Sequence, residues 1–284
     1  MKATTLVAGA GYTGRRVLDR LPDAYGLSRS ADHERARKMD IDSDGALPVE
    51  LADDWTLIYT VPPATDSEGD PRLERFLEAL PSIPARVVYL STTGVYGDCG
   101  GEFVDESAAP NPETGRAQRR VRAETLLTDW CRDRGLDLVV LRVPGIYGPG
   151  RLGVGRIRLH TPVIREPEAN PGNRIHVEDL AECCVRALDL TVPAGLYNVG
   201  DGDDRSSTWF ATEVARQAGL DTPPTISREK AEKTFSAARL SFLRESRRID
   251  TTRMREILKP KMKYADPVKG IGESLQEEAK ELRS

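Results

Sequence analysis

Three glycines near the start of the chain have the spacing that a dinucleotide-binding loop needs. Gly9, Gly11 and Gly14 are spaced G-x-G-x-x-G, after an apolar strand and at the start of a helix. In this context the first glycine permits a tight turn, the second lets the backbone approach a diphosphate, and the third lets helix and strand pack closely. The helix N-terminus adds free N–H groups and a partial positive charge. We therefore predict a dinucleotide site that includes Tyr12 and Thr13; the alternative is a purely structural glycine-rich turn.

The residues after the second predicted strand indicate which dinucleotide binds. We expect a strand over Ala24–Leu27, followed by Ser28, Arg29 and Ser30. An NAD-selective site has an acidic residue here for the ribose 2′-hydroxyl, and this turn has none. A guanidinium flanked by hydroxyls suits a 2′-phosphate, because its forked N–H donors match the phosphate oxygens. The sequence favours NADP, with NAD as the alternative; the other interpretation is that Arg29 is solvated on a surface turn.

Two further strand ends are expected to face the cofactor, because ligands of such folds bind beyond the carboxyl ends of the strands. Met39–Ile41 is predicted as a short third strand, in which Asp40 either faces the adenine or caps the next turn. Trp55–Thr60 is predicted as a stronger strand, which two prolines follow. The residues predicted to line the cofactor site at these ends are Asp40, Ile41, Thr60, Val61 and Pro62.

The candidate catalytic hydroxyls follow the next predicted strand, Arg86–Ser91. The hydroxyl residues Ser91–Thr93 stand at its carboxyl end, where chemistry is expected, although such residues are equally common turn formers. Tyr96 and Tyr147 are candidate proton donors, since both are expected in loops beyond strand ends. The alternative is that they are packing aromatics with satisfied hydroxyls.

A long helix is predicted over Arg116–Arg134, and its first seven residues include four arginines. Such a cluster is usually a solvated face. The alternative is that one or two of the arginines point toward the cofactor or an anionic substrate. Because no aromatic residues are interleaved with them, the arginines do not indicate nucleic-acid binding.

The composition limits the other functions open to this chain of 284 residues, a length suited to one large domain or two closely joined ones. The formal net charge of -4 argues against a dedicated nucleic-acid binder. The four cysteines contain no C-x-x-C pair, and three histidines do not complete a zinc pattern. No apolar run approaches the ~20 residues of a membrane span, and the N-terminus enters a strand directly rather than a signal peptide. We expect a cytoplasmic protein with no metal, membrane or nucleic-acid partner.

The alternation of strands and helices in the first half predicts an α/β fold, a doubly wound parallel sheet with helices on both faces. The alternation loosens in the second half, where we expect a helix over Ser206–Gly219 capped by Ser207, and two or three helices in the tail. The predicted domains are a dinucleotide-binding domain over residues 1–150, which also receives 173–205, and a smaller substrate or lid domain over 151–172 and 206–284.

Five stretches of the sequence occur in an order typical of one protein family. They are Gly9–Gly14, Ser91–Gly97, Leu141–Arg151, Asn173–Ala181 and Tyr197–Asp201. In order and spacing they resemble the extended short-chain dehydrogenase/reductase family, the NAD-dependent epimerase/dehydratase group, over nearly the whole chain. The resemblance implies a Rossmann domain for the cofactor, a small C-terminal domain for a small-molecule substrate, and a homodimer through the two helices that flank the Thr92 strand.

The family's active site combines a Ser or Thr with a Tyr and a Lys spaced Y-x-x-x-K. The resemblance implies that Thr92 is the Ser/Thr and that Pro144, in the third stretch, belongs to the cofactor site. Aligning the predicted long helix on the Ala-Glu pair that the family shares places Arg116 at the Tyr position. Arg120 then stands at the Lys position.

The chain therefore departs from the family at the catalytic pair, since no Y-x-x-x-K occurs between residues 97 and 134. Arginine stays protonated and cannot exchange a proton as the tyrosine does. Arg120 can still donate hydrogen bonds to the nicotinamide ribose, and Arg116 to a substrate carboxylate or phosphate. Thr93 and Gly94 stand where the family's dehydratases carry an acidic pair, which disfavours that chemistry.

Two functions follow from these residues. The first is an NADP-dependent oxidoreductase or epimerase that acts on a small or sugar-like substrate with a non-standard acid/base, for which Thr92, Tyr96 and Tyr147 are the candidates. The second is a non-catalytic NADP-binding sensor or regulator, because both members of the catalytic pair are lost. The intact substrate-side motifs favour the enzyme.

Overall fold

A computed structural model describes residues 2–42, 45, 47–65 and 69–281 of the chain. Its strands, in chain order, are β1 (Ala3–Ala8), β2 (Ala24–Ser28), β3 (Ala36–Lys38), β4 (Leu51–Tyr59), β5 (Arg86–Thr92), β6 (Phe103–Val104), β7 (Asp137–Val143), β8 (Gly145–Tyr147), β9 (Val163–Ile164), β10 (Arg174–His176), β11 (Gly195–Asn198), β12 (Thr225–Ile226) and β13 (Arg248–Ile249). Its α-helices are α1 (Tyr12–Arg20), α2 (Pro71–Glu78), α3 (Gly115–Arg132), α4 (Val154–Arg158), α5 (Val177–Ala187), α6 (Ser207–Gln217), α7 (Arg228–Thr234), α8 (Ala237–Leu243) and α9 (Pro267–Glu281).

The central sheet has seven parallel strands in this described part of the chain, in the order β11-β7-β5-β4-β1-β2-β3. Because β1 pairs with β2 on one side and with β4 on the other, the direction of winding reverses at β1. In such sheets a ligand binds in the crevice beyond the carboxyl ends of the strands at this point. The predicted α/β class, a doubly wound parallel sheet, is confirmed.

Two apolar cores cover the two faces of the sheet, because successive side chains of a strand point to opposite sides. In β1, Val7 belongs to the core under α1 and α5, whereas Leu6 belongs to the core under α2 and α3. Strands buried on both faces are typical of parallel sheets. This packing fixes β1, β4 and β5, whose carboxyl ends carry the candidate site.

Two buried arginines join helices to the sheet. Arg142 in β7 forms a bidentate pair with Glu124 in α3, with N–O distances of 3.2 Å and 2.7 Å. Arg86 at the start of β5 donates to the carbonyl oxygens of Ala187 and Val192, at and just beyond the end of α5. A buried charge costs stability unless it is paired and hydrogen-bonded, so these contacts fix where α3 and α5 lie against the sheet.

The third strand and one helix cap differ from their predictions. The strand β3 spans Ala36–Lys38, which pairs with β2, and not Met39–Ile41. Met39 and Ile41 are buried because they enter the core after the chain leaves the sheet, so their apolar character reflects burial rather than strand pairing. Ser206, not Ser207, caps α6, since its hydroxyl oxygen accepts a backbone N–H at 2.9 Å.

The second half of the chain adds shorter elements around a separate apolar cluster. Tyr147, Leu152, Ile157, Val214 and Ile271 join β8, α4, α6 and α9 in this cluster. The strand β13 then returns to pair with β6, in the loop that follows β5. The pairing brings the segment around β13 beside the carboxyl end of β5. The division into two domains stays a prediction.

The described residues contain neither a membrane-crossing helix nor a metal-ligand cluster. None of their helices combines the length and the apolar character that crossing a membrane requires. They also hold no group of three or more His, Cys, Asp or Glu side chains arranged around a common point for a metal ion.

Candidate cofactor and substrate site

A cavity of about 480 Å³ opens at the carboxyl ends of the central strands, where the winding of the sheet reverses. The loops after β1, β2, β3 and β4 line it, together with the end of β5 and parts of α1 and α3. The predicted cofactor residues that line it are Gly9, Gly11, Tyr12, Thr13, Ser28, Arg29, Ser30, Asp40, Ile41, Thr60, Val61, Pro62 and Arg120. The tertiary structure thus brings these residues to one cavity; that they bind a cofactor stays a prediction.

The three glycines have three different surroundings. Gly9 has a φ of +98°, and a Cβ placed on it would lie 2.3 Å from Thr60 Oγ1. A Cβ on Gly14 would lie 2.3 Å from the carbonyl oxygen of Gly9, so the first turn of α1 packs directly on the loop. A Cβ on Gly11 would meet nothing within 4 Å. Gly9 and Gly14 are thus required by the fold, and Gly11 leaves open space at the cavity.

The start of α1 supplies hydrogen-bond donors to this open space. Gly11 is the N-cap of the helix and brings no side chain to satisfy the first backbone N–H groups. The first N–H groups of a helix have no partner within the helix, and the helix dipole adds a partial positive charge. A helix start of this kind can bind an anionic group such as a diphosphate. Tyr12 closes one side, and its hydroxyl donates to Pro149 O at 2.9 Å.

The opposite end of the cavity carries two arginines and two aspartates, Asp40 and Asp42. Arg29 is exposed there between Ser28 and Ser30. Arg72, which was not among the predicted residues, also lines this end and pairs with Asp42. The hydrogen bond and charge of Arg72 hold the pKa of Asp42 below its usual range. Because Asp42 already neutralises Arg72, Arg29 is the arginine of this end that suits a 2′-phosphate.

Ser91 and Thr92, the two hydroxyl residues at the end of β5, have different surroundings. Ser91 lines the cavity, and its Oγ is buried with no hydrogen-bond partner among the described residues. Thr92, the predicted catalytic residue, accepts the N–H of Gly94 at 3.1 Å and is not among the described residues that line the cavity. Pro144 lies beyond β7 and is not in the lining either, although Val143 before it is. An unpartnered hydroxyl is the signal that distinguishes Ser91, and it is visible only in the folded chain.

The two tyrosines predicted as proton donors are not among the described residues that line the cavity, and a catalytic role for them stays a prediction. The Tyr96 hydroxyl donates to Asn198 Oδ1 at 2.7 Å. Tyr147 lies in β8 rather than in a loop, and its ring packs edge-on against His176 and Phe210. Burial raises the pKa of both phenols. Neither tyrosine is among the described residues lining the cofactor cavity, because both side chains point into apolar clusters.

The two arginines at the expected Tyr and Lys positions point in different directions. Arg120 reaches the cavity, where its Nη1 donates to Leu90 O at 2.7 Å and to the Tyr89 hydroxyl at 3.0 Å. Arg116 lies one turn earlier, is exposed, and donates to Ser241 Oγ in α8 at 3.1 Å. Arg120 is thus placed to meet a cofactor, whereas Arg116 faces the C-terminal helices. A substrate role for Arg116 stays a prediction.

A second cavity of about 290 Å³ shares one lining residue, Arg151, with the first and is otherwise lined by residues between 152 and 243. Three of the described residues that line it are arginines, Arg151, Arg156 and Arg239, and none of them is acidic. Burial, together with the charge of Arg156, lowers the pKa of Arg239. An excess of guanidinium groups without lining carboxylates suits an anionic ligand.

Arg151 lines both cavities, although it was not among the predicted site residues. Its guanidinium lies 3.9 Å from the centre of the Tyr12 ring, and Arg16 lies 4.4 Å from the same ring. Burial is the main cause that raises the pKa of Tyr12 to about 12. The sequence signal for Arg151 was its place at the end of a glycine-rich turn beyond a strand.

The fold and the cavity define an α/β protein of the short-chain dehydrogenase/reductase type with an NAD(P)-binding fold. Residues 73–200 match the model of the NAD dependent epimerase/dehydratase family. The match covers less than half of the chain, and over these residues the resemblance inferred from the sequence motifs is confirmed.

One known protein is similar to part of this chain. Protein YeeZ from Escherichia coli (strain K12) is 30% identical over 183 residues, which are 61% of this chain and 62% of that protein. The matched part of the chain thus spans less than two thirds of that relative's length.

Solved structures extend the likeness to nearly the full chain. A functionally unknown conserved protein from Silicibacter pomeroyi DSS has a TM-score of 0.81 and 30% identity, with 97% of this chain and 99% of that chain covered. MoeE5 in complex with UDP-glucuronic acid and NAD has a TM-score of 0.78 and 20% identity, with 98% and 100% covered. At this lower identity the likeness shows the fold alone.

Proposed function

We propose that this chain is an NADP-dependent oxidoreductase or epimerase that acts on an anionic, sugar-like substrate. The observation that carries the proposal is Arg151, which lines both the cofactor cavity and the adjoining arginine-lined cavity. A redox step requires the reacting carbon of the substrate to lie against the nicotinamide, and adjoining cavities favour such a placement. NAD is the alternative cofactor.

The residues that line the first cavity support a dinucleotide as its ligand. In the proposed complex the Gly9–Gly14 loop binds the diphosphate, and Arg29 with its two flanking serines binds the 2′-phosphate. Arg120 and Ser91 lie at the other end and donate hydrogen bonds to the nicotinamide ribose. The bound nicotinamide supplies the chemistry by exchanging two electrons and a hydrogen with the substrate carbon.

The arginines of the second cavity support an anionic substrate. Arg156 and Arg239 repel each other, and a bound phosphate or carboxylate relieves this repulsion. Arginine also binds such groups through its forked donors. Sugar nucleotides have this charge, and the MoeE5 structure contains UDP-glucuronic acid. We extend this substrate class to the present chain as part of the proposal.

A non-catalytic NADP-binding sensor is the second candidate, and one observation favours it. Arg116 and Arg120 occupy the positions of the family's proton-transferring Tyr and its Lys, and an arginine cannot replace the tyrosine. Tyr96 and Tyr147 are not among the described residues that line the cofactor cavity, which supports this candidate. A protein that binds NADPH without turnover would match this candidate.

Binding and turnover measurements separate these functions. NADPH and NADH affinities are measured by nicotinamide fluorescence, and turnover by nicotinamide absorbance with a panel of nucleotide sugars, ketones and aldehydes. We expect NADPH to bind and an anionic sugar compound to be turned over. Arg239→Ala should then raise the KM for that compound about tenfold, the loss of ~1.4 kcal/mol. Its affinity for NADPH should be unchanged.

Arg158→Ala is the matched control, because Arg158 is exposed on α4 and is not among the described residues that line the second cavity. It should leave the KM unchanged. NADPH binding without turnover across the panel would reject the enzyme and support the sensor. If the protein binds neither NADPH nor NADH, both candidates are rejected.

We also propose a homodimer through α2 and α3, the helices on either side of β5. A groove of about 500 Å³ between them is lined by apolar side chains that include Leu77, Leu126 and Trp130. Ile83, which also lines the groove, is 53% exposed and would be covered in such a dimer. Light scattering should give the mass of two chains, and Ile83→Asp should give the mass of one. A wild-type monomer would reject this proposal.

A further inference from the structure

A carboxylate from the C-terminal segment lies beside the carboxyl end of β5. Glu245, between α8 and β13, is only 8% exposed. One carboxylate oxygen, Oε2, accepts a hydrogen bond from Arg247 at 2.9 Å. The other, Oε1, is buried and has no hydrogen-bond partner among the described residues. A buried, half-satisfied carboxylate is costly to keep, so its place calls for an explanation.

Backbone hydrogen bonds hold this segment against the loop that follows β5. Ser246 O accepts the N–H of Cys99 at 2.9 Å, and Ser246 N donates to Asp98 Oδ1 at 2.8 Å. Asn170 Nδ2 donates to Glu245 O at 3.3 Å. Arg247 and Asp98 are the charged neighbours that these contacts bring to the segment. These hydrogen bonds fix the backbone on which the Glu245 carboxylate is carried.

The space above Gly94 lies between this carboxylate and the hydroxyl of Thr92. A Cβ placed on Gly94 would lie 3.4 Å from Thr92 Oγ1 and 3.9 Å from Glu245 Oε2. Because Gly94 has no side chain, a substrate oxygen near this point would meet both groups. Ser91, next to Thr92, lines the cofactor cavity, and Leu243, two residues before Glu245, lines the arginine cavity. Thr92 and Glu245 are thus close in the chain to residues of the two cavities, although they are not themselves among the described residues that line either one.

We propose that Glu245 is the acid/base of the reaction, an inference that rests on the proposed function. In the direction of substrate oxidation, the O–H bond of a substrate hydroxyl breaks and its proton passes to the Glu245 carboxylate. The hydrogen on the same carbon leaves with its two electrons to the oxidised nicotinamide, and a C=O bond forms. The reverse direction returns the proton from Glu245. Thr92 Oγ1 forms a hydrogen bond with the reacting oxygen and positions it.

Glu245→Gln tests this assignment, since glutamine keeps the shape of the side chain and cannot take up a proton. With the substrate found for the wild type, we expect kcat to fall at least 100-fold, the size expected when a general base is removed. The fall of kcat/KM on the acidic side of the wild-type pH profile should disappear. The NADPH affinity, measured by fluorescence, should stay within twofold of the wild type. Glu229→Gln, an exposed carboxylate of α7 paired with Lys233, is the control and should change none of these values.

Each outcome decides between the inference and the proposed function. A Glu245→Gln protein that keeps the wild-type pH profile and more than a tenth of the wild-type kcat would overturn the inference alone. If Glu245→Gln fails to fold, Glu245→Asp decides, because it keeps the charge and withdraws the carboxylate by one methylene. A folded Glu245→Asp protein should lose at least tenfold in kcat, and wild-type kcat would overturn the assignment. A wild type that binds NADPH and turns over no panel member overturns both proposals.

Discussion

Arg151 stacks on Tyr12, with its guanidinium carbon 3.9 Å from the centre of the aromatic ring. Because Tyr12 lies in the first turn after the glycine loop and Arg151 borders the second cavity, this contact joins the two proposed ligand sites. Arg151→Ala is expected to weaken both NADPH and substrate binding by about tenfold each, the loss of one charge-assisted hydrogen bond. Fluorescence titration and KM measure the two effects. Loss of substrate affinity alone would place Arg151 outside the cofactor site.

Replacement by alanine should mainly lower stability at Gly14 and mainly lower NADPH affinity at Gly11. Gly14→Ala places a methyl group 2.3 Å from the carbonyl oxygen of Gly9. Such overpacking lowers the free energy of unfolding by about 1–3 kcal/mol. Gly11→Ala meets nothing within 4 Å, so its Tm should fall less, while the methyl group occupies the space proposed for the diphosphate. We expect NADPH affinity to drop more than tenfold in Gly11→Ala. Unchanged affinity would show that the diphosphate lies elsewhere.

Arg29 should discriminate between the two dinucleotides. Arg29→Ala removes the proposed partner of the 2′-phosphate, so the Kd for NADPH should rise about tenfold or more while the Kd for NADH changes less than twofold. Arg37→Ala is the control, since Arg37 packs over the Tyr25 ring and is not among the described residues of the cavity lining. Equal losses for both dinucleotides in Arg29→Ala would contradict the NADP assignment.

Asp201 should make stability depend on pH. Burial is the main cause that raises its pKa to about 7, and its Oδ2 has no hydrogen-bond partner among the described residues. In an unfolded chain an aspartate has a pKa of about 3.9, so the folded state binds the extra proton between these values. Asp201 therefore makes its full contribution to the free energy of unfolding below about pH 4. This contribution is lost as the pH rises through about 7.

Asp201→Asn removes this dependence. The variant should be more stable than the wild type at pH 8, by about 1–3 kcal/mol, and should approach wild-type stability near pH 5. Urea denaturation at both pH values measures the difference. Asp266→Asn, at a largely exposed carboxylate, should show no such trend. A stability gap between Asp201→Asn and the wild type that does not grow with pH would contradict the buried-carboxylate explanation.

Elements with strong local signals were predictable from the sequence. The glycine spacing and the apolar runs of β1, β4 and β5 gave the parallel sheet, because a buried strand needs a continuous apolar run. The third strand was placed three residues too late, since Met39 and Ile41 are apolar for burial in the core and not for pairing. An apolar run alone does not distinguish these two reasons.

The candidate catalytic groups were less predictable than the cofactor loop. Tyr96 and Tyr147 stand close to strand ends, yet their side chains turn into apolar clusters, and residue spacing does not fix that choice of direction. Ser91 and Thr92 are neighbours of similar chemistry. Ser91 alone of the two lines the cavity, because successive side chains of a strand point to opposite faces.

The sequence by itself determined the class of fold and the resemblance to the family, and it predicted the glycine loop as part of a cofactor site. The assignment of Arg116 and Arg120 to the family's Tyr and Lys positions stays a prediction. These features depend on residues close together in the chain, whose backbone geometry is set locally. Only the tertiary structure decided that Arg151 joins two cavities and that Glu245 lies across Gly94 from Thr92. Such contacts join segments far apart in the chain, and the pairing of β13 with β6 and the packing of the C-terminal helices bring them together.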